Sequence, residues 1–253
     1  MRIPRIYWPH ALRSGEHTTL DAAATHYLSR VLRLRPPAPV TLFNGEGGQY
    51  AAIIERMDRD ATVVLIEHFD AHEAESPLQL TLAQGISRGE RMDFTLQKAV
   101  EIGVSRIIPL VTEHCGVRLE GTRLAARLAH WRSVASSACE QCGRNRVPFL
   151  EDARTLAEWM ETIVPPGADG SVLDGPRIVF DPHGGPVREA VPAPPRSAIV
   201  LIGPEGGLSA TELTAARERG FVSVRLGPRV LRTETAGIAG LAALQTLWGD
   251  LAS

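Results

Sequence analysis

Two patterns of apolar and polar positions divide the chain. From Ile3 to Tyr7, Val40 to Phe43, Gln49 to Glu55 and Ala61 to Glu67 the apolar residues alternate or form short β-branched runs, which predicts strands. Asn44-Gly45-Glu46-Gly47-Gly48 and Asp58-Arg59-Asp60 break them into the short pieces of a small β-barrel. One helix interrupts: Asp21 caps a run in which Tyr27, Leu28, Val31 and Leu32 recur at helical spacing, and Pro36-Pro37 stops it. The acidic, proline-ended segment from Asp70 to Pro77 reads as a linker.

Beyond it strand and helix alternate. Leu78 to Ala83, Arg106 to Val111, Val147 to Leu150, Arg177 to Phe180, Ala198 to Ile202 and Val222 to Arg225 read as strands. Glu90 to Ile102, Thr122 to Cys142, Leu156 to Ile163, Ala210 to Arg219 and Glu234 to Leu251 read as helices. This order predicts an α/β fold with a mostly parallel sheet covered by helices. Pro165 to Gly175 and Pro192 to Pro195 are loop-rich insertions. The change of pattern puts a domain boundary near residue 74, with a β-rich module over 1–73 and an α/β domain over 74–253.

Two glycine loops stand at strand ends of the second domain, where ligands of open α/β sheets bind. The first is Gly203-Pro204-Glu205-Gly206-Gly207: its glycines allow close backbone approach, Pro204 stiffens the turn, and Ser209 stands where it can cap the next helix. The second, Leu226 to Ala236, sets Arg232, Thr233, Glu234 and Thr235 at the mouth of the last helix; a solvated cap with Thr233 at the N-cap is the alternative. Phe180-Asp181-Pro182-His183-Gly184-Gly185 is a third strand-end turn. Neither a Walker Lys-Ser/Thr pair nor a GxGxxG opening a first βαβ unit is present, which argues against a nucleotide-phosphate or dinucleotide site.

A net charge of −2 over 253 residues gives no general case for nucleic acid, but residues 1–35 carry Arg2, Arg5, Arg13, Arg30, Arg33 and Arg35 against Glu16 and Asp21. That cluster reads as a phosphate-facing patch or as a solvated surface, since Lys98 is the only lysine. Three cysteines without a secretory leader argue for reduced thiols in the cytoplasm, and Cys139-Glu-Gln-Cys142 lacks the partners of a zinc site. No metal is expected. Lys98, Glu101, Glu140 and Gln141 form either a structural network between helices or the floor of a substrate site, whereas Arg144 and Arg146 suit contact with phosphate.

Gln97 to Val104, Glu140 to Arg144, Ile202-Gly-Pro-Glu-Gly-Gly-Leu-Ser209 and Leu226-Gly-Pro-Arg-Val-Leu-Arg-Thr-Glu-Thr-Ala236, in this order, resemble the bacterial 16S ribosomal RNA uridine-N3 methyltransferases of the SPOUT superfamily. The match spans nearly the whole chain. Departures are Val100, Ile102, Val230 and the stretch from Glu113 to Gly116, where the family usually has a serine and an arginine. The resemblance implies a PUA-like barrel that helps bind RNA, for which Arg2, Arg5, Arg30 and Arg33 of the patch, with Arg144 and Arg146 of the second domain, are the candidate contacts. It implies as well a trefoil-knotted α/β domain, a homodimer and S-adenosylmethionine as cofactor. By the same likeness Pro182, His183, Gly203, Pro204, Glu205, Gly206, Gly207, Leu226, Gly227, Leu231, Arg232, Thr233, Thr235 and Ala236 hold that cofactor.

Uridine N3 must lose a proton to attack a methyl group, so Arg232 is expected to stabilise the anionic uracil or a phosphate, with Glu205 or Glu234 as base. The near-neutral charge points to the assembled small subunit over naked RNA. A non-catalytic RNA-binding or ribosome-assembly protein on the same fold is the competing reading.

Overall fold

A computed structural model describes residues 3–116, 121–165, 175–191 and 193–252. Arg2, Val117, Arg118 and most of the first expected insertion lie outside these residues, as does Pro192 in the second. The chain forms two compact units, one of Met1–Glu75 with Ser136–Val147 and one of Ser76–Ala135 with Pro148–Ser253.

In the first unit β1 (Arg5–Tyr7), β2 (His17–Leu20), β3 (Ala38–Phe43), β4 (Gln49–Met57) and β5 (Thr62–Asp70) form one sheet in the order β1-β3-β4-β5-β2. Only β1 and β3 are parallel. Alternation builds the core: Val40 and Leu42 of β3, and Val64 and Ile66 of β5, point inward with Leu20 and Leu28. β2 escapes the sequence pattern because His17, Thr18 and Thr19 are polar and only Leu20 is buried.

Asp21 does cap the helix α1 (Ala22–His26), its carboxylate accepting the Ala24 N–H at 2.9 Å. The expected single helix then widens into a π-helical turn over Tyr27–Val31, in which Leu28 is buried and Tyr27 and Val31 stay exposed.

The Ser136–Val147 segment is tied to this unit by polar side chains. Glu140 accepts the Tyr7 N–H at 2.9 Å, and Asn145 accepts from Arg5 at 2.6 Å and donates to the His72 carbonyl at 2.6 Å. Burial pushes the Glu140 carboxyl above its ordinary range, against the Tyr7 hydrogen bond and Arg5.

Arg144 is 3% exposed and grips Glu75 with two nitrogens, at 3.1 and 2.6 Å. The expectation that Arg144 faces phosphate is therefore corrected: a guanidinium this buried requires an internal counter-charge, and Glu75 supplies it, while half-buried Arg5 donates to Gln49, the Arg144 carbonyl and Asn145. Arg146 is exposed and 3.5 Å from Glu73, while Arg30 and Arg33 are exposed. The stretch read as a linker thus begins on β5 and carries both carboxylates that hold these arginines.

The second unit contains β6 (Gln79–Gly85), α2 (Glu90–Glu101), β7 (Val104–Val111) and α3 (Gly121–Cys142), whose last turns belong to the first unit. It continues with β8 (Phe149–Leu150), β9 (Arg154–Thr155), α4 (Leu156–Thr162), β10 (Arg177–Pro186), α5 (Val187–Ala190), β11 (Ser197–Ile202), α6 (Ala210–Glu218), β12 (Phe221–Arg225) and α7 (Thr233–Trp248).

Its strands run parallel in the order β12-β10-β11-β6-β7-β8, with β9 also on β7. Helices cover both faces of such a sheet, so its strands read as continuous apolar runs; Ala198, Val200, Leu201 and Ile202 of β11 are all buried. Lys98 pairs with Glu101 of its own helix at 2.7 Å. That pair is the local alternative to the expected four-residue cluster.

Candidate active site

Three adjacent strands, β12, β10 and β11, send their carboxyl ends to one edge of the sheet, and the turns there, with Arg91 of α2, enclose a cavity of about 660 Å³. Its size falls within the ~300–1,000 Å³ range of small-molecule sites. Gly203 to Gly207, Leu226, Gly227, Leu231 to Glu234, Ala236, Pro182 and His183 all line it, so the three loops picked out in the sequence meet. Thr235 does not line it; it is exposed, because one residue along a helix turns the side chain by about 100° from Glu234.

The loops keep their shape for local reasons. Ser209 caps α6 and exchanges hydrogen bonds with Glu212 in a capping box, which fixes the exit of the Gly203–Gly207 turn. Gly207 has φ +72°, a conformation that favours glycine. The pairing of β10 with β12 shifts register between Phe180 and Gly185, so Asp181, Pro182, His183 and Gly184 bulge from the ladder. The Asp181 carboxylate then accepts the His183 N–H at 2.9 Å.

Sequence patterning missed the frame behind these loops. A Cβ on Gly85 would lie 2.6 Å from the Pro204 nitrogen, and one on Gly184 would lie 2.4 Å from the Val224 nitrogen. Buried Gln84 donates to the Gly85 carbonyl and to the Thr233 hydroxyl, both at 3.0 Å. Thr233 is therefore not the N-cap. Arg232 occupies that position, without a side-chain cap bond, and the hydroxyl of Thr233 is committed to Gly203. Residues after β7 also brace the first loop: His114 Nδ1 is 3.1 Å from the Gly206 carbonyl oxygen, and the Glu113 N–H donates to Glu212 at 2.9 Å.

The two candidate bases differ in their surroundings. Glu205 accepts the Arg88 N–H at 2.9 Å and an Arg91 nitrogen at 2.8 Å. Burial works against its charge, but these hydrogen bonds outweigh it and hold the carboxyl below its ordinary range. Glu234 stands 3.9 Å from Arg91 with 13% of its side chain exposed, and its Oε2 is buried without a hydrogen-bond partner among the described residues. That oxygen has almost no accessible surface, so Glu234 lines the cavity with the rest of its side chain.

The fold and this site define an RNA methyltransferase with a PUA domain. The RNA methyltransferase domain family matches residues 74–245, and the RNA methyltransferase PUA domain matches residues 20–67. The chain is 34% identical to ribosomal RNA small subunit methyltransferase E of Buchnera aphidicola, over 99% of this chain and 98% of the relative. Among solved structures it resembles ribosomal RNA small subunit methyltransferase E of Neisseria gonorrhoeae bound to S-adenosyl methionine, with a TM-score of 0.88 and 39% identity over 99% of this chain and all of that one. A Legionella pneumophila protein solved in complex with SAM gives a TM-score of 0.92 and 36% identity, at 99% and 100% coverage. The chain belongs to the ribosomal RNA small subunit methyltransferase E family.

Proposed function

We propose that the protein is an S-adenosylmethionine-dependent methyltransferase acting on N3 of a uridine in 16S ribosomal RNA. The observation that carries the reading is the cavity at the strand ends, with glycine turns, apolar side chains and the side chain of Glu234 in its lining. These residues fit the cofactor: Ile202, Leu208, Leu226 and Leu231 offer apolar contact, and the glycine turns bring backbone amides and carbonyls close. When bound, S-adenosylmethionine supplies an electrophilic methyl group on a sulfonium leaving group.

The chain's own residues do the rest. The Glu234 carboxylate takes the N3 proton of the uracil, and Arg232 stabilises the charge that then spreads onto the uracil carbonyls. Glu205, held ionised by Arg88 and Arg91, anchors the first loop and serves poorly as a base. Much of the acceleration comes from holding nucleophile and methyl carbon in line.

The same reading takes residues 1–73 as the RNA-binding barrel and 74–253 as the catalytic domain. It includes a chain tucked through itself as a trefoil knot in that domain, a homodimer, the assembled small subunit as substrate and a cytoplasmic site of action. Among the described residues no helix is long and apolar enough to cross a membrane, which accords with the last point. A non-catalytic assembly protein would have no use for a preformed small-molecule cavity lined by glycine turns. The test is binding of S-adenosylmethionine by calorimetry, followed by transfer of its labelled methyl group to small subunits lacking the modification; absence of both defeats the proposal.

A further inference from the structure

Four arginines line the cavity, and only one of them has a carboxylate. Arg91 is engaged by Glu205 and Glu234, whereas Arg225, Arg229 and Arg232 make no ion pair among the described residues. Asp181, the remaining acid of the lining, is 8% exposed and already faces Arg217 at 3.8 Å and the His183 N–H. Arg225 ends β12, Arg229 sits in the loop that follows and Arg232 caps α7, and all three are exposed.

This charge distribution does not match the methyl donor. S-adenosylmethionine carries a carboxylate, an ammonium and a sulfonium, so it is a net cation with a single anionic group. Of the four guanidinium groups, Arg91, beside Glu234 in the wall, is left for that carboxylate and Arg232 is taken by the uracil. Two guanidinium groups are left at the rim of the cavity, turned to solvent. A nucleobase reaches such a cavity only by leaving its stack, which brings its own sugar-phosphate backbone to the rim. Exposed arginines there meet phosphate oxygens, for which the planar fork of donors is suited.

We infer that Arg225 and Arg229 form a phosphate subsite for the RNA strand that flanks the target nucleotide, separate from the contacts to the methyl donor. The inference rests on the proposed function and deepens it. These residues position the strand; they take no part in moving the proton or the methyl group.

The test uses the full chain and an Arg225→Ala/Arg229→Ala double variant. RNA affinity is measured with labelled small subunits lacking the modification, from about 50 to about 200 mM salt, and donor affinity by calorimetry. Loss of two phosphate contacts lowers the slope of log affinity against log salt by about 1.4, at ~0.7 per contact for single strands, while the donor Kd stays within twofold. The Arg225→Lys/Arg229→Lys variant, which keeps the charge, keeps most of the slope. An unchanged slope in the alanine variant overturns the inference, and so does a weakened donor Kd with RNA binding intact. Sedimentation is run in parallel: dissociation of a dimer with the RNA slope unchanged assigns the arginines to a second copy of the chain and also overturns it. Wild-type protein that binds neither donor nor RNA refutes the proposed function itself, an outcome distinct from these.

Discussion

The amide of Gln84 donates to the hydroxyl of Thr233 at 3.0 Å, and that hydroxyl donates to the carbonyl of Gly203 at 2.6 Å. Two hydrogen bonds thereby connect the end of β6, the first residue of α7 and the first glycine loop. Gln84 has no exposure, so breaking the chain leaves polar groups buried and unpaired, at about 1–3 kcal/mol. Thr233→Val and Gln84→Leu should each weaken donor binding by roughly 10-fold, whereas Thr233→Ser, which keeps the hydroxyl, should bind almost as the wild type does. Calorimetry on the single and double variants checks this. The double variant should lose less than the sum of the singles, because both remove one connected chain.

The glycines behind the loops make a second expectation. A methyl group at Gly85 meets the Pro204 backbone and one at Gly184 meets the backbone of Ser223 and Val224, none of which can rotate away. Gly85→Ala and Gly184→Ala should each destabilise by about 1–3 kcal/mol or more, as overpacked sites do, and should lower donor affinity as well. Gly207→Ala tests the other reason for glycine: its Cβ meets nothing within 4 Å, and the strain comes from φ +72° alone. Its loss of melting temperature should be the smallest of the three.

How far the site was legible in the sequence follows from what each signal measures. Glycine-rich turns after apolar strands mark places where backbone must approach something, so all three loops could be found, as could the capping roles of Ser209 and Asp21. Gln84 could not: a lone glutamine at the end of a strand has no periodicity, and its partner lies 149 residues away. Arg144 was misread for a related reason. A basic residue at a helix end looks like a phosphate ligand until Glu75, from a stretch taken for a linker, is found beside it. The short strand His17–Leu20 and the two-residue Arg154–Thr155 present too few inward side chains to alternate.

Glu205 links the loop to pH. Its folded-state pKa lies below the ordinary 4.5, so its ionised form stabilises the native state above that value, and the contribution is lost as pH falls through the lower, folded-state pKa. Melting temperatures of the wild type and Glu205→Gln, measured from neutral pH downward, should differ most above pH 4.5 and converge in acid. A difference that widens in acid would show that the Arg88 and Arg91 contacts do not favour the charged carboxylate.

The CxxC pair should behave as two unlike thiols. Burial drives the Cys139 pKa up to about 12, and its Sγ donates to the Arg146 carbonyl, whereas Cys142 and Cys115 are partly exposed. A disulfide-exchange reagent at pH 8 should therefore leave Cys139 unmodified in the native protein and reach it only after denaturation. Peptide mapping of the labelled protein identifies which thiols reacted.

Replacing the base separates chemistry from binding. Glu234→Gln keeps the shape of the side chain but removes the proton acceptor, so turnover should fall by ~10²- to 10⁴-fold while the donor Kd changes little. If Glu205→Gln produced the larger fall, with loop stability and donor affinity intact, the two carboxylates would have to exchange roles.

The central claim is that this cavity methylates N3 of a uridine in 16S ribosomal RNA. Small subunits isolated from cells that lack the modification are incubated with the protein and S-adenosylmethionine, and the RNA is digested to nucleosides and fragments for mass mapping. One new methyl group is expected, on N3 of one uridine, absent from the reaction with Glu234→Gln. A methyl group on any other base, on a ribose, or on uridine in undiminished yield with the Glu234 variant would contradict it.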